Sequence, residues 1–173
     1  MTSAFLCFLC YTLCFISDTL ELRSGKKTVL SRILFLLGCM GLAALFLLTF
    51  FEWEAFSVSL PNLFPSFVFV LSVIMLLYSV FPAVSSETSD GKKVLVSSGL
   101  YSLCRHPGLW FMWPCCLSFY FMCPTLTCGL LFIVSALCDF LYVLYQDMYV
   151  FPVTIDGYEK YKETVPFLFP RFK

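Results

Sequence analysis

The chain has 173 residues, 60% of them hydrophobic and 13% charged, and its eleven basic and eleven acidic side chains cancel to a formal net charge of zero. Soluble domains are roughly half apolar and about a quarter charged, so this balance, with a mean hydropathy of +0.89, excludes an ordinary soluble enzyme. A membrane is the expected environment and no nucleic-acid partner is expected.

Apolar runs cover residues 2–17, 29–51, 64–84, 107–123 and 125–145. About 20 helical residues cross the ~30 Å hydrocarbon layer. Lipid offers no partner to bare backbone N–H and C=O groups, so each run is expected to be a helix. The expectation is an all-α polytopic membrane protein of about five transmembrane helices. It forms one integral membrane domain over residues 1–173, with three spans in 1–84 and a distinct C-terminal half in 85–173. The first and fourth runs are short, as for a tilted or partly inserted helix. Residues 2–17 lack the basic start and small-residue cleavage site of a signal peptide, and are read as a retained helix.

Between the runs, residues 18–27 read as a short polar loop. Residues 52–62 carry Glu52 and Glu54 but no base, and Pro61, Asn62 and Pro65 mark the connection into the third span. Residues 85–93 (SSETSDGKK) form a polar, turn-rich link, followed by a brief apolar return at Val94–Val96. Pro107 opens the fourth helix, where its missing N–H costs nothing, and Pro124 makes a tight hairpin with the fifth. In the tail, residues 156–163 fit one or two amphipathic helical turns before Pro166 and Pro170 stop any helix. With five spans, Arg23, Lys26, Lys27, Arg32, Lys92, Lys93, Arg105, Lys160, Lys162, Arg171 and Lys173 all fall on one side of the membrane. The positive-inside rule makes that side cytoplasmic.

The ten cysteines lie mostly within apolar helices, Cys7, Cys10 and Cys14 as a helical stripe and Cys115 and Cys116 as neighbours. The single histidine, His106, cannot complete a zinc site with them, so they read as buried, reduced packing residues. The 21 phenylalanines are read as lipid-facing and packing residues.

Polar chemistry is confined to a few places. Arg105-His106-Pro107 stands at a helix start, where unpaired N–H groups and the helix dipole attract anions. Arg105 adds a charged planar fork suited to carboxylate or phosphate, and His106 donates or accepts a proton near neutral pH. The same triplet also suits a plain anchor on lipid headgroups. Gln146-Asp147 lies where the fifth helix leaves the membrane, and is either a water-facing helix end or a site for ribose hydroxyls or a cation. Asp139, inside the fifth span, either extends that polar pocket or is protonated or locally hydrogen-bonded. Tyr158 and Tyr161 alternate with lysines in a flap that either rests on headgroups or folds over a site.

Taken in order, Leu95-Val96-Ser97-Ser98-Gly99-Leu100-Tyr101, then Arg105-His106-Pro107, a two-helix hairpin, Gln146-Asp147, and Gly157-Tyr158-x-x-Tyr161-x-x-x-Val165-Pro166 resemble the isoprenylcysteine carboxyl methyltransferase-like family of integral membrane methyltransferases, which includes phospholipid methyltransferase relatives. The resemblance spans about Lys92 to Phe172. It implies S-adenosylmethionine as cofactor, bound on the cytoplasmic side by the last two spans and the C-terminal segment. It also implies a methyltransferase-like role for residues 85–173 and a lipid or other lipophilic acceptor. By position, Lys93, Val94, Leu95, Val96, Tyr101, His106, Pro107, Gly108 and Leu109 line the cofactor site. Asp147 takes the family's acidic position, eleven residues before Tyr158. Arg105, His106 and Asp147 are the expected catalytic set, the first two anchoring the cofactor and the third meeting its polar groups. Leu109 stands where the motif usually has tyrosine, and Val143 where the prenylcysteine enzymes place a substrate-linked arginine, so the resemblance does not extend to isoprenylcysteine itself. Two other readings remain open: a non-catalytic membrane scaffold of the same fold, and an NADPH-dependent membrane reductase.

Overall fold

The computed structural model describes residues 2–51, 60–85 and 94–169. Of the expected loop at 52–62, residues 52–59 lie outside these described residues, whereas 60–62 form the start of α3 (Leu60–Ser85) and not loop; residues 86–93 of the expected link, with Lys92 and Lys93, and Arg171 and Lys173 in the tail also lie outside. Five long helices follow in chain order: α1 (Thr2–Ser24), α2 (Val29–Phe51), α3 (Leu60–Ser85), α4 (Pro107–Met122) and α5 (Leu126–Tyr145). A 3-10 turn at Gly99–Ser102 precedes α4. A π-helical turn at Gln146–Val150 prolongs α5 into α6 (Phe151–Thr154), and α7 (Tyr158–Thr164) lies in the tail. There is no strand among the described residues, and the fold is all-α and polytopic. Four helices are long and apolar enough to cross a membrane, namely α1, α2, α3 and the continuous rod from α5 through Thr154. The expected fourth span, α4, has 16 residues and falls short of a full crossing by length.

Local chemistry sets the helix ends. Gly25, at φ 68°, terminates α1 in the left-handed conformation, and its N–H bonds to Glu21 O at 2.9 Å. Thr28 and Ser31 cap α2 reciprocally, each hydroxyl accepting from the other's backbone N–H at 3.1 and 3.0 Å. Pro107 occupies the first turn of α4 as expected, and Thr125 caps α5 by accepting from Cys128 N at 3.2 Å.

One boundary differs. Residues 18–24 continue α1 instead of forming a loop, because Asp18 and Glu21 turn inward and are buried. The Gln146 side-chain amide donates to Asp18 at 2.7 Å, so charge that reads as loop from hydropathy is satisfied inside the bundle.

The helices form a bundle in which α1 packs antiparallel on α2 and parallel to α5, and α4 packs on α3 and α5. The α1–α2 seam depends on small residues. A Cβ at Gly38 would lie 2.6 Å from Cys14 Sγ and 2.8 Å from Cys10 O, and one at Gly41 would lie 2.6 Å from Cys10 Sγ. Without a hydrophobic drive between helices in lipid, such close backbone approach is a principal source of association. Cys7 Sγ meets Ser135 Oγ at 3.1 Å across the α1–α5 seam. At the far end Phe119 of α4 is surrounded by Phe46, Phe50 and Phe69, with ring centroids 5.3, 6.4 and 5.9 Å away. The cysteines of the described residues are free, as expected.

A candidate anion site at the polar end of the bundle

The antiparallel connections bring the end of α1, the start of α4, the end of α5 and the tail to one end of the bundle. There Asp147 accepts three donors. Tyr158 OH donates to Oδ1 at 2.7 Å, His106 Nε2 lies 3.1 Å from the same oxygen, and Arg105 Nη2 lies 3.3 Å from Oδ2. Arg105 and His106 therefore both meet Asp147, which lies 41 residues beyond His106, and all three are buried to more than nine-tenths at the side chain.

Both residues lie in the π-helical turn, where Gln146 turns to Asp18 of α1 and Asp147 to the start of α4. Single π turns inside helices are frequent at functional positions.

The tail closes over the cluster. Arg105 N–H donates to Pro166 O at 3.0 Å, and Trp110 Nε1–H donates to Leu168 O at 2.6 Å. Phe167 lies edge-on to His106 at 5.1 Å and beneath the Arg105 guanidinium at 5.7 Å, a cation–π distance. Phe151 stacks on the other side of the imidazole, with centroids 5.8 Å apart and ring planes 12° from parallel. Tyr161 OH donates to Tyr101 O, and Tyr101 OH donates to Ser79 O of α3 at 2.9 Å. Gly157, at φ 82°, starts α7, and a Cβ there would lie 3.9 Å from Leu95 Cδ2, which places the 94–97 segment beside the tail.

The electrostatics follow from this burial. Burial lowers the His106 pKa below its usual value, the Asp147 carboxylate opposes that shift, and Arg105 reinforces it. At neutral pH the ring is therefore neutral, with Nε2–H donating to the ionised Asp147. Burial and the adjacent Asp147 charge push the Tyr158 phenol up, so it remains a donor, and burial pushes Tyr101 up to about 12.

The decisive feature is an imbalance. Arg105 Nε and Nη1 are buried and have no hydrogen-bond acceptor among the described residues. Buried polar groups are nearly always paired, and leaving one unpaired costs about 1–3 kcal/mol, more when charged. Asp147 meets the guanidinium only at Nη2, so Nε and Nη1 are left to another acceptor. Asp147 thus holds Arg105 and His106 in place through its carboxylate.

The remaining expected residues divide. Leu95, Val96 and Tyr101 are half-buried beside the tail, and Val94 is exposed. Pro107 and Leu109 are buried in the packing of α4, and a Cβ on Gly108 would face α3, 3.5 Å from Ser79 Oγ. Lys93 lies outside the described residues. The sequence reading did not assign Trp110, Phe151 and Phe167 to the site. They are three of many aromatics, and only the tail's return over α4 distinguishes them. No family model, curated protein or solved structure matches this chain.

Proposed function

We propose that this protein is an S-adenosylmethionine-dependent membrane methyltransferase acting on a lipophilic acceptor at the cytoplasmic face. The observation that carries the proposal is the pair of buried, unpartnered N–H groups on Arg105. An anionic group such as the carboxylate of the cofactor's methionine moiety would supply an acceptor to this guanidinium, which Asp147 engages only through Nη2. The resemblance of residues 92–172 to the isoprenylcysteine carboxyl methyltransferase-like family supports the same assignment from the sequence side.

Each residue then has a defined task. Arg105 holds the anionic end of the ligand. Asp147 and Tyr158 fix the guanidinium and the imidazole in place, and Phe151 and Phe167 wall the ring and exclude water. His106 Nδ1, which makes no hydrogen bond among the described residues, is left as an acceptor for a ligand N–H. The bound cofactor supplies an already activated sulfonium methyl, so alignment and dryness are the main demands on the protein.

Calorimetric titration of the detergent-purified protein tests this, with S-adenosylmethionine, S-adenosylhomocysteine and NADPH as ligands. Saturable binding of the first two, weakened at least tenfold in Arg105→Lys and His106→Gln, is the expected result. Binding of NADPH alone would favour the reductase, and no binding by folded protein would favour the scaffold.

A further inference from the structure

Arg105 Nε and Nη1 are shut off from solvent as well as unpartnered, so a ligand reaches them only if something that covers them moves. Most of the surroundings are held in place. Asp147 is fixed by Tyr158 OH and His106 Nε2. The helix α7 is anchored by Tyr158 and Tyr161, both buried, the second donating to Tyr101 O. The exception is the stretch 165–169 that follows α7. It has no regular secondary structure and forms the outer layer over the site, partly exposed from Val165 to Leu168 and exposed at Phe169.

Its attachments are few. Among the described residues, two hydrogen bonds tie 165–169 to the helices beneath: Arg105 N–H donates to Pro166 O at 3.0 Å, and Trp110 Nε1–H to Leu168 O at 2.6 Å. The second lies at an exposed edge, where water competes for both groups. Between these two ties Phe167 reaches inward. Its ring lies 5.7 Å from Arg105 Cζ, 5.1 Å from the His106 ring and 6.5 Å from that of Phe140. A ring face attracts the guanidinium as a charge, yet it leaves Nε and Nη1 without an acceptor. The hinge is set by sequence: Pro166 disfavours helix at the residue before it, and Val165 is extended, at φ −112° and ψ 126°, where α7 ends. Segments with few buried contacts and exposed hydrogen bonds are the first to open.

We propose that residues 165–169 are a strap, hinged at Val165, that lifts to admit the ligand of Arg105 and closes over it, with the Trp110–Leu168 bond as its latch. The structure is the closed form. Lifting uncovers the guanidinium, and closing returns Phe167 to the imidazole and shuts water out, as lids over binding sites do. The strap rests on the reading of Arg105 as the anchor of an anionic ligand; it does not require that the ligand donate a methyl group.

The test uses phenylglyoxal, which adds to guanidinium groups it can touch, on the full chain in lipid nanodiscs, with peptide mass mapping. Arg23, exposed at the end of α1, is the internal reference. Arg105 is expected to label slowly in the parent and at least fivefold faster in Trp110→Phe, which removes the latch donor and keeps a ring, with Arg23 unchanged. Equal labelling of Arg105 in the parent and Trp110→Phe overturns the strap. So does equal acceleration in Asp18→Ala, which loosens the bundle away from the tail. The parent alone supplies a second measurement. Its Arg105 amide, bonded to Pro166 O, should exchange with deuterium at least tenfold faster than the Cys123 amide, bonded to Phe119 O at 3.0 Å, and equal rates would also overturn the strap. Faster labelling in Trp110→Phe without S-adenosylhomocysteine binding would remove the methyl-transfer reading alone, whereas binding with labelling unaltered would remove the strap alone.

Discussion

Gln146 and Asp147 are adjacent in the chain yet belong to polar clusters of different character. On the α1 side, Gln146 donates to Asp18 at 2.7 Å and joins two helices by a single amide–carboxylate bond. On the α4 side, Asp147 receives Tyr158, His106 and Arg105, and two guanidinium N–H groups remain unmatched. The first is an ordinary means of fastening helices. The second holds more donors than the described residues use, and that surplus underlies the proposed ligand site. Polarity at a membrane surface is therefore a poor guide to function, whereas the balance of donors and acceptors discriminates.

The comparison is broken most severely by Asp147→Ala. It strands a buried arginine, and loss of one partner from a buried ion pair costs about 3–5 kcal/mol. Thermal unfolding in detergent should show a drop several times larger than that of Asp18→Ala, for which the loss of one hydrogen bond predicts about 1 kcal/mol. Equal drops would dissolve the distinction between the clusters. Next in size is Arg105→Lys, which keeps the charge but not the fork. Tenfold weaker cofactor binding, about 1.4 kcal/mol, should appear in calorimetry.

Acidification provides a finer probe. Because burial holds the His106 pKa below its unfolded value near 6.5, the unfolded chain binds more protons at this site than the folded one as pH falls below that value. Stability at His106 is thus fully present above about pH 6.5 and lost toward its lowered folded pKa. The unfolding midpoint of the parent should fall between pH 6.5 and 5 more steeply than that of His106→Gln, and parallel slopes would show that the imidazole does not titrate with folding. The smallest effect belongs to Tyr158→Phe. It removes one of three donors from Asp147, with an expected loss of about 0.5–1.5 kcal/mol.

Much of this arrangement is legible in the sequence, for identifiable reasons. Proline chemistry placed the start of α4 at Pro107, and hydropathy found the hairpin between α4 and α5. The family resemblance implied that Arg105, His106 and Asp147 share one site. What sequence reading missed depends on tertiary direction. The charged end of α1 reads as loop until Gln146 is known to face Asp18. That Tyr158 and Arg105 both converge on Asp147 is contained in no spacing rule. The π-helical turn carries no local signature. Trp110 and Phe167 are ordinary aromatics until the tail folds back over them.

That fold-back has an implication for sequence drift. The tail is clasped largely through main-chain oxygens: Pro166 O takes the Arg105 N–H, and Leu168 O takes the Trp110 indole. A carbonyl is supplied by every amino acid, so many side chains could be exchanged at 166 and 168 without loosening the clasp. A single-residue deletion there would put both oxygens out of register at once. The segment should thus be permissive in spelling and strict in length.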